Sequence, residues 1–182
     1  MGVRDTVIGN VSVNAEKSEL RIGSEVFAYH CDKFNTRILK GLEDTLGFEK
    51  ARELLFKSAE KTTLGVLKGL NDILGGATPQ EKLTSIFELY KVLGHGNISL
   101  VEFGDKKSKV ISDPSYMAEG WKENQEKWNW SKRENPVCHD QSGAIAAAFE
   151  LALGKNVGEV KVTETVCHTM GSQACEFDVE VL

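Results

Sequence analysis

The end of the chain alternates between apolar and acidic residues, and this pattern constrains the fold more than any other feature of the sequence. One parity is occupied by Cys175, Phe177, Val179 and Val181, and the other by Glu176, Asp178 and Glu180. Because successive side chains of a strand point to opposite faces, the pattern predicts a half-buried closing strand. Cys175 is then expected to point into the protein.

The preceding segment predicts a partner strand that carries a buried acid. Glu164 shares its parity with three valines, Val160, Val162 and Val166. A carboxylate among valines is costly unless something compensates for its lost hydration. Gly171 lets the chain reverse, which would bring Cys167 close to Cys175, and Cys138 at the start of the last predicted helix could supply a third sulfur.

These four residues together suit a metal ion. Three thiolates and one carboxylate make a closed tetrahedral set of the kind that holds Zn²⁺, and four protein ligands leave no open position, so the zinc is expected to be structural. The alternative is that the cysteines are free and buried and that Glu164 meets a lysine. A C-x7-C spacing does not decide between the two interpretations.

The remaining patterns predict an α+β fold, with helices packed around one antiparallel sheet. The predicted elements are a strand or hairpin over Thr6–Ile22, helices over Ser24–Leu46, Phe48–Leu74, Thr78–Leu93 and Pro136–Gly154, and strands over Ile98–Phe103, Val110–Ile111, Val157–Val166 and Ala174–Val181. The tryptophan-rich residues 115–130 receive no assignment. We expect an N-terminal arm over 1–22 and a single domain over 23–182, with its metal-binding part at 136–182.

Composition limits the kinds of partner and the cellular compartment that we expect for this protein. The net charge is −5, and no lysine-rich stretch with interleaved aromatics occurs, which argues against nucleic acid. The first residues contain no apolar signal region, and no apolar run is long enough to span a membrane. A cytoplasmic location is therefore expected, where cysteines remain reduced and are available to metals.

The closing third of the chain resembles the V4R (4-vinyl reductase) domain. The resemblance rests on Pro136-Val-Cys138-His, on a helix of small residues ending in ALGK, and on Val162-x-Glu164-x-x-Cys167-x-x-x-Gly171-x-x-x-Cys175-x-Phe-x-Val. This domain occurs in bacteriochlorophyll 4-vinyl reductase-type proteins, in small archaeal proteins and in the sensor region of aromatic-responsive transcription activators. The resemblance implies a V4R-like ligand-binding fold, similar to trafficking-complex subunits and haem-based nitric oxide sensors.

The resemblance also implies a set of site residues. Matched to the phenol-sensing members, the zinc ligands are Cys138, Glu164, Cys167 and Cys175. The implied ligand-binding residues are His95, Trp121 with Trp128 as its alternative, Ser142, Ala148, Val162 and Met170. Core packing or a dimer surface is the alternative role for the tryptophans, and a turn or helix-capping role is the alternative for His95.

Three functions follow as hypotheses. The first is a stand-alone, zinc-stabilised and dimeric module that binds a small hydrophobic or aromatic molecule and signals to a partner protein. The second is a tetrapyrrole reductase or its accessory protein, although no dinucleotide-binding G-x-G-x-x-G motif is present. The third is a haem-binding sensor, for which His30, His95, His139 and His168 are the available axial ligands.

Overall fold

The computed structural model describes residues 2–17, 19–28 and 31–182. Its helices are α1 (Val3–Gly9), α2 (Asp32–Leu46), α3 (Phe48–Gly69), α4 (Asn71–Leu74), α5 (Pro79–Val92), α6 (Tyr116–Lys127) and α7 (His139–Leu153). Its strands are β1 (Val11–Asn14), β2 (Glu19–Ile22), β3 (Glu25–Phe27), β4 (Gly96–Glu102), β5 (Lys107–Ser115), β6 (Val160–Val166) and β7 (Cys175–Val181). The α+β prediction is confirmed.

The described strands form two antiparallel sheets. The larger has the strand order β4-β5-β7-β6, so the last two strands of the chain pair with each other and β7 also pairs with β5. The smaller sheet has the order β1-β2-β3. In the larger sheet Glu164 lies opposite Phe177 and Ser112 lies opposite Cys175, which fixes the register around the predicted metal ligands.

Local signals in the sequence define the helix ends. Thr78 accepts a hydrogen bond from the backbone N–H of Glu81, and the Glu81 carboxylate accepts one from the backbone N–H of Thr78, as a capping box requires. Gly154 ends α7 in the left-handed conformation, with φ of 66°. These two boundaries agree with the sequence prediction.

The central packing is that of α7 against α3. Gly143 lies where the two helices are closest, since a Cβ added there would come within 2.9 Å of both the Ala59 Cβ and the Glu60 backbone nitrogen. The α7 residues that face the core are fully buried, among them Ile145, Ala148 and Phe149. The small residues of α7 therefore let α3 pack closely against it, and α3 forms one wall of the site described below.

The N-terminal predictions were partly wrong. Residues 3–9 form a helix, and the predicted strand pairing begins only at Val11. The helix expected from Ser24 begins at Asp32, because Glu25–Phe27 pairs with β2 across the turn at Gly23. The unassigned tryptophan-rich stretch contains α6. The division into an arm and a domain stays a prediction.

None of the described helices combines the length and the apolar character that crossing a bilayer requires.

Candidate metal centre and adjoining cleft

The three predicted cysteine ligands meet where α7, β6 and β7 come together. Cys138 precedes α7 directly, Cys167 follows β6, and Cys175 begins β7; all three are buried, and none forms a disulfide. The Sγ atoms of Cys138 and Cys175 are 3.6 Å apart, and those of Cys175 and Cys167 are 3.7 Å apart. Tetrahedral zinc with Zn–S bonds of about 2.3 Å separates its sulfurs by about 3.8 Å.

Glu164 completes this cluster from β6. One carboxylate oxygen, Oε2, accepts a hydrogen bond of 2.8 Å from the backbone N–H of Cys138. The other, Oε1, is buried and has no hydrogen-bond partner among the residues that the structure describes. The four ligand atoms lie within 4.8 Å of one another. A buried carboxylate oxygen without a partner beside three sulfurs fits a bound cation.

The shifted pKa values of the cluster also fit a bound cation. Burial raises the pKa of the Cys138 thiol and of the Glu164 carboxyl well above their ordinary values. Hydrogen bonds from the Cys138 and Cys175 thiols strongly lower the pKa of Cys167, so a single thiolate would carry the negative charge if no cation were bound. A divalent cation would hold all four groups in the ionised form.

Hydrogen bonds from neighbouring residues orient the sulfurs. The Ser115 hydroxyl lies 3.1 Å from the Cys138 sulfur, and the Thr169 hydroxyl lies 3.1 Å from the Cys167 sulfur. The backbone N–H of His168 points at the Cys175 sulfur at 3.4 Å. Neither Ser115 nor Thr169 was predicted from the sequence. Only Thr169, two residues after Cys167, lies close enough in the chain to a predicted ligand to have been a candidate.

The three histidines that the structure describes lie outside the cluster. The His139 ring packs edge-on against Phe48. The His168 ring contacts Glu119, at 2.5 Å, and Lys122. The His95 ring packs on Tyr90, and His30 falls outside the described residues.

A cleft of about 480 Å³ adjoins the cluster between α3 and β6. Its apolar walls are formed by Phe48, Phe56, Pro136, Val160 and Val162. Its polar and charged residues include Arg52, Lys57, Glu60, His139, Ser142, Lys161 and Glu164. Glu164 therefore belongs both to the cysteine cluster and to the cleft wall.

The structure does not bring the seven predicted ligand-binding residues into one cavity. Ser142 and Val162 line the cleft. Of the other five, two are buried in the core (Ala148 and Trp121) and Met170 is 43% exposed. Trp128 stacks with Arg37, and His95 borders a separate depression of about 150 Å³. Ligand contact by these five residues stays a prediction.

Trp121 belongs to an aromatic and cationic cluster next to the cleft. Its ring lies 4.8 Å from that of Trp130, with the Arg133 guanidinium 4.3 Å from its centroid. Arg133 in turn forms a two-pronged ion pair with Glu43. This cluster borders a second cavity of about 290 Å³, which shares Phe48 with the larger cleft.

Two buried carboxyl groups share a hydrogen-bond donor at another part of the cleft, and we refer to Glu60, which lines the cleft, and Glu150, which lies behind it, as the carboxyl pair. Glu60 of α3 is 3% exposed, and Glu150 of α7 is fully buried. The backbone N–H of Gly158 donates to Oε1 of both, at 3.3 Å and 2.8 Å respectively. Burial, and next the charge of Glu60, raises the pKa of Glu150 to about 7. Neither residue of this pair was predicted from the sequence.

The carboxyl pair should make stability depend on pH. The pKa of Glu150 rises from 4.5 to about 7 on folding, so the folded chain binds more protons between these values and stability falls as pH increases through them. We expect Glu150→Gln to remove this loss and to be more stable than the wild type at pH 8, by at most about 3 kcal/mol. Melting temperatures of both proteins at pH 5 and pH 8 test this, and parallel pH profiles would contradict it.

Comparison with known proteins finds a family similarity in the last part of the chain. Residues 117–181 match the family model of the V4R domain, a segment that contains all four candidate metal ligands. The resemblance found in the sequence is thereby confirmed for this part of the chain. A search of the curated proteins finds no match.

Solved structures with the same fold extend over nearly the whole chain. The phenol-responsive sensory domain of the transcription activator PoxR superposes with a TM-score of 0.82 at 14% identity, over 98% of this chain and 88% of that one. Trafficking protein particle complex subunit 3 from Naegleria fowleri gives 0.55 at 13% identity, over 83% and 95%. An H-NOX protein from S. oneidensis gives 0.53 at 9% identity, over 87% and 82%.

Proposed function

We propose that this protein binds a small hydrophobic or aromatic molecule in the cleft between α3 and β6, and that binding serves a sensory or regulatory role. The observation that carries the proposal is the double position of Glu164, which lines the cleft and also belongs to the cysteine cluster. A cation bound by the cluster would hold the Glu164 wall of the cleft in place. Movement of that wall would then be coupled to the strands that carry the cluster.

The cleft has the properties of a small-molecule site. Its volume of about 480 Å³ is within the usual range for such sites, and its walls combine aromatic and aliphatic side chains with a few polar groups. Phe48 and Phe56 lie on the helical side, and Val160 and Val162 lie on the strand. These side chains suit an aromatic or aliphatic body better than a highly charged one.

The similar sensory domain supports the regulatory part of the proposal. PoxR is a transcription activator, and its domain of this fold is described as phenol-responsive and bound to phenol. By analogy of fold, we propose that ligand binding here is sensed by a partner protein.

We propose that Cys138, Glu164, Cys167 and Cys175 bind Zn²⁺ in a structural role. Four protein ligands close the tetrahedral shell, so the ion would pin the β6–β7 hairpin to the start of α7 and would leave no position for a substrate. This favours a binding protein over an enzyme. Free thiols so close together suit a reducing compartment, and a cytoplasmic location is part of the proposal.

The apolar surface of α2 and α3 is the basis for proposing a homodimer. Ile38, Leu46 and Leu54 are 44%, 39% and 47% exposed. Several exposed apolar side chains on the two neighbouring helices are compatible with an interface. A native mass spectrum of the purified protein would report the subunit count together with bound metal and any retained molecule.

The alternative ligand is a tetrapyrrole or haem group, which was also among the hypotheses drawn from the sequence. Visible absorption of the purified protein separates the alternatives. A colourless protein with stoichiometric zinc supports the binding module, whereas a Soret band would support haem or a tetrapyrrole.

We expect Val162→Trp to weaken phenol binding at least about tenfold, because the indole would fill the cleft while the metal ligands stay in place. Isothermal titration with phenol measures the effect, and zinc content checks that the centre is intact. Val101→Trp is the control, since Val101 is 58% exposed on β4 and is not part of the cleft. Phenol binding that survives Val162→Trp but is lost in Trp121→Ala would place the ligand beside the aromatic cluster and contradict the cleft assignment.

A further inference from the structure

The carboxyl pair gives the cleft an acidic subsite that an apolar ligand alone would not use. Glu60 lines the cleft although its side chain is almost fully removed from bulk solvent. Behind it, Oε2 of Glu150 is buried and has no hydrogen-bond partner among the described residues. One backbone N–H, that of Gly158, serves both carboxyl groups.

No ion pair holds this pair of carboxyl groups within the described residues, since no lysine or arginine nitrogen lies within 4.0 Å of a Glu60 or Glu150 carboxylate oxygen. Lys57, one turn before Glu60 on α3, forms its ion pair with Glu53 at 2.6 Å and acts on Glu60 only at longer range. The raised pKa of Glu150 agrees with this geometry, because burial and next the charge of Glu60 disfavour its ionised form. A cation entering the cleft would favour the ionised form of Glu150.

We propose that the Glu60 end of the cleft binds the ammonium group of an amphipathic amine, whose apolar body lies along Phe56 and Val162. This inference rests on the function proposed above and names the ligand class for the same cleft. An ammonium group presents three N–H donors to acceptor oxygens that have few other donors. A hard metal ion fits less well, since it requires six or more oxygen ligands and the Gly158 N–H is a donor.

The competing hypothesis is a ligand with a carboxylate head group, which Lys161 could bind. Lys161 lines the same cleft from β6 and forms no ion pair within the described residues. Lys161 and Glu60 differ in burial, since Lys161 is exposed at the cleft edge and Glu60 is buried within the cleft. A buried charge gains more from a partner because less water competes for it.

Three small molecules of matched shape test the proposal: 2-phenylethylamine, 2-phenylethanol and 3-phenylpropionate. Isothermal titration of the zinc-loaded protein at pH 7 should show the amine binding at least about tenfold more tightly than the alcohol, with the carboxylate weakest. Glu60→Gln should remove this preference and leave alcohol binding within about twofold. Glu49→Gln, which makes the same charge change on an exposed part of α3 outside the cleft, should retain the preference.

Each outcome of these titrations supports or overturns the proposed ammonium subsite. An alcohol or carboxylate that binds the wild type as tightly as the amine would overturn the proposal, even if Glu60→Gln did not fold. Equal losses in Glu60→Gln and Glu49→Gln would overturn it as well. Alcohol binding that is blocked by Val162→Trp but shows no amine preference would leave the cleft intact and remove only the ammonium subsite. No binding of any probe would remove both.

Discussion

We expect Cys175→Ser to lose the proposed zinc ion and to unfold roughly 10 °C below the wild type. The substitution changes one buried atom, so the protein without metal would tolerate it with a small loss. Removing a ligand of structural zinc removes binding energy that is part of the folding energy, about 4 kcal/mol or more. For a domain of this size each kcal/mol shifts the melting temperature by about 2–4 °C.

Metal analysis and thermal melts measure both effects. The matched control is Cys31→Ser, at the exposed cysteine that occupies the N-cap position of α2, where serine is a better capping residue. A chelator should lower the melting temperature of the wild type and leave that of Cys175→Ser unchanged. Full zinc content with an unaltered melting temperature in Cys175→Ser would exclude this residue as a ligand.

Gly143→Ala will destabilise the protein by about 3 kcal/mol, the upper end of the range for overpacked cores. The added methyl group would lie against the carbonyl oxygen of Phe56 and 2.9 Å from the backbone nitrogen of Glu60. Neither is the end of a flexible side chain, so α3 as a whole must move away from α7. Urea denaturation gives the loss of unfolding free energy directly.

Gly65→Ala is the control for this substitution. Gly65 also lies in a helix, α3, but no heavy atom lies within 4 Å of a Cβ built there. Alanine at this position should leave the fold unchanged and increase stability by up to about 1 kcal/mol. Equal stabilities of Gly143→Ala and Gly65→Ala would show that α3 and α7 are not as close as described.

The sequence predicted that Cys138, Glu164, Cys167 and Cys175 lie together, because strand parity and a local turn determine most of this arrangement. Cys175 and Glu164 lie on the buried faces of adjacent strands, so alternation alone placed them correctly. Gly171 has φ of 100° in the reversing segment, as expected for the turn that returns the chain.

The N-terminal error shows where local pattern fails. Phe27 and the residues after it have helical spacing, but Phe27 pairs with Leu20 of β2, and this strand contact overrides the local preference. The carboxyl pair was missed for a related reason. Glu150 stands out in an apolar helix, but its partner Glu60 comes from a helix ninety positions earlier, and only the packing of α3 on α7 brings the two together.

The ligand-binding residues were the least predictable part. Their positions came from a motif resemblance that covers the end of the chain, whereas the cleft depends equally on α3, whose sequence matches only in general helical character. Phe56 and Glu60 therefore received no prediction, although both line the cleft.

X-ray absorption at the zinc edge of the purified protein tests the central claim most directly. We predict a first shell of three sulfurs at about 2.3 Å and one oxygen at about 2.0–2.2 Å, from Cys138, Cys167, Cys175 and Glu164. A protein purified without zinc, or a zinc shell made of nitrogen and oxygen alone, would contradict it.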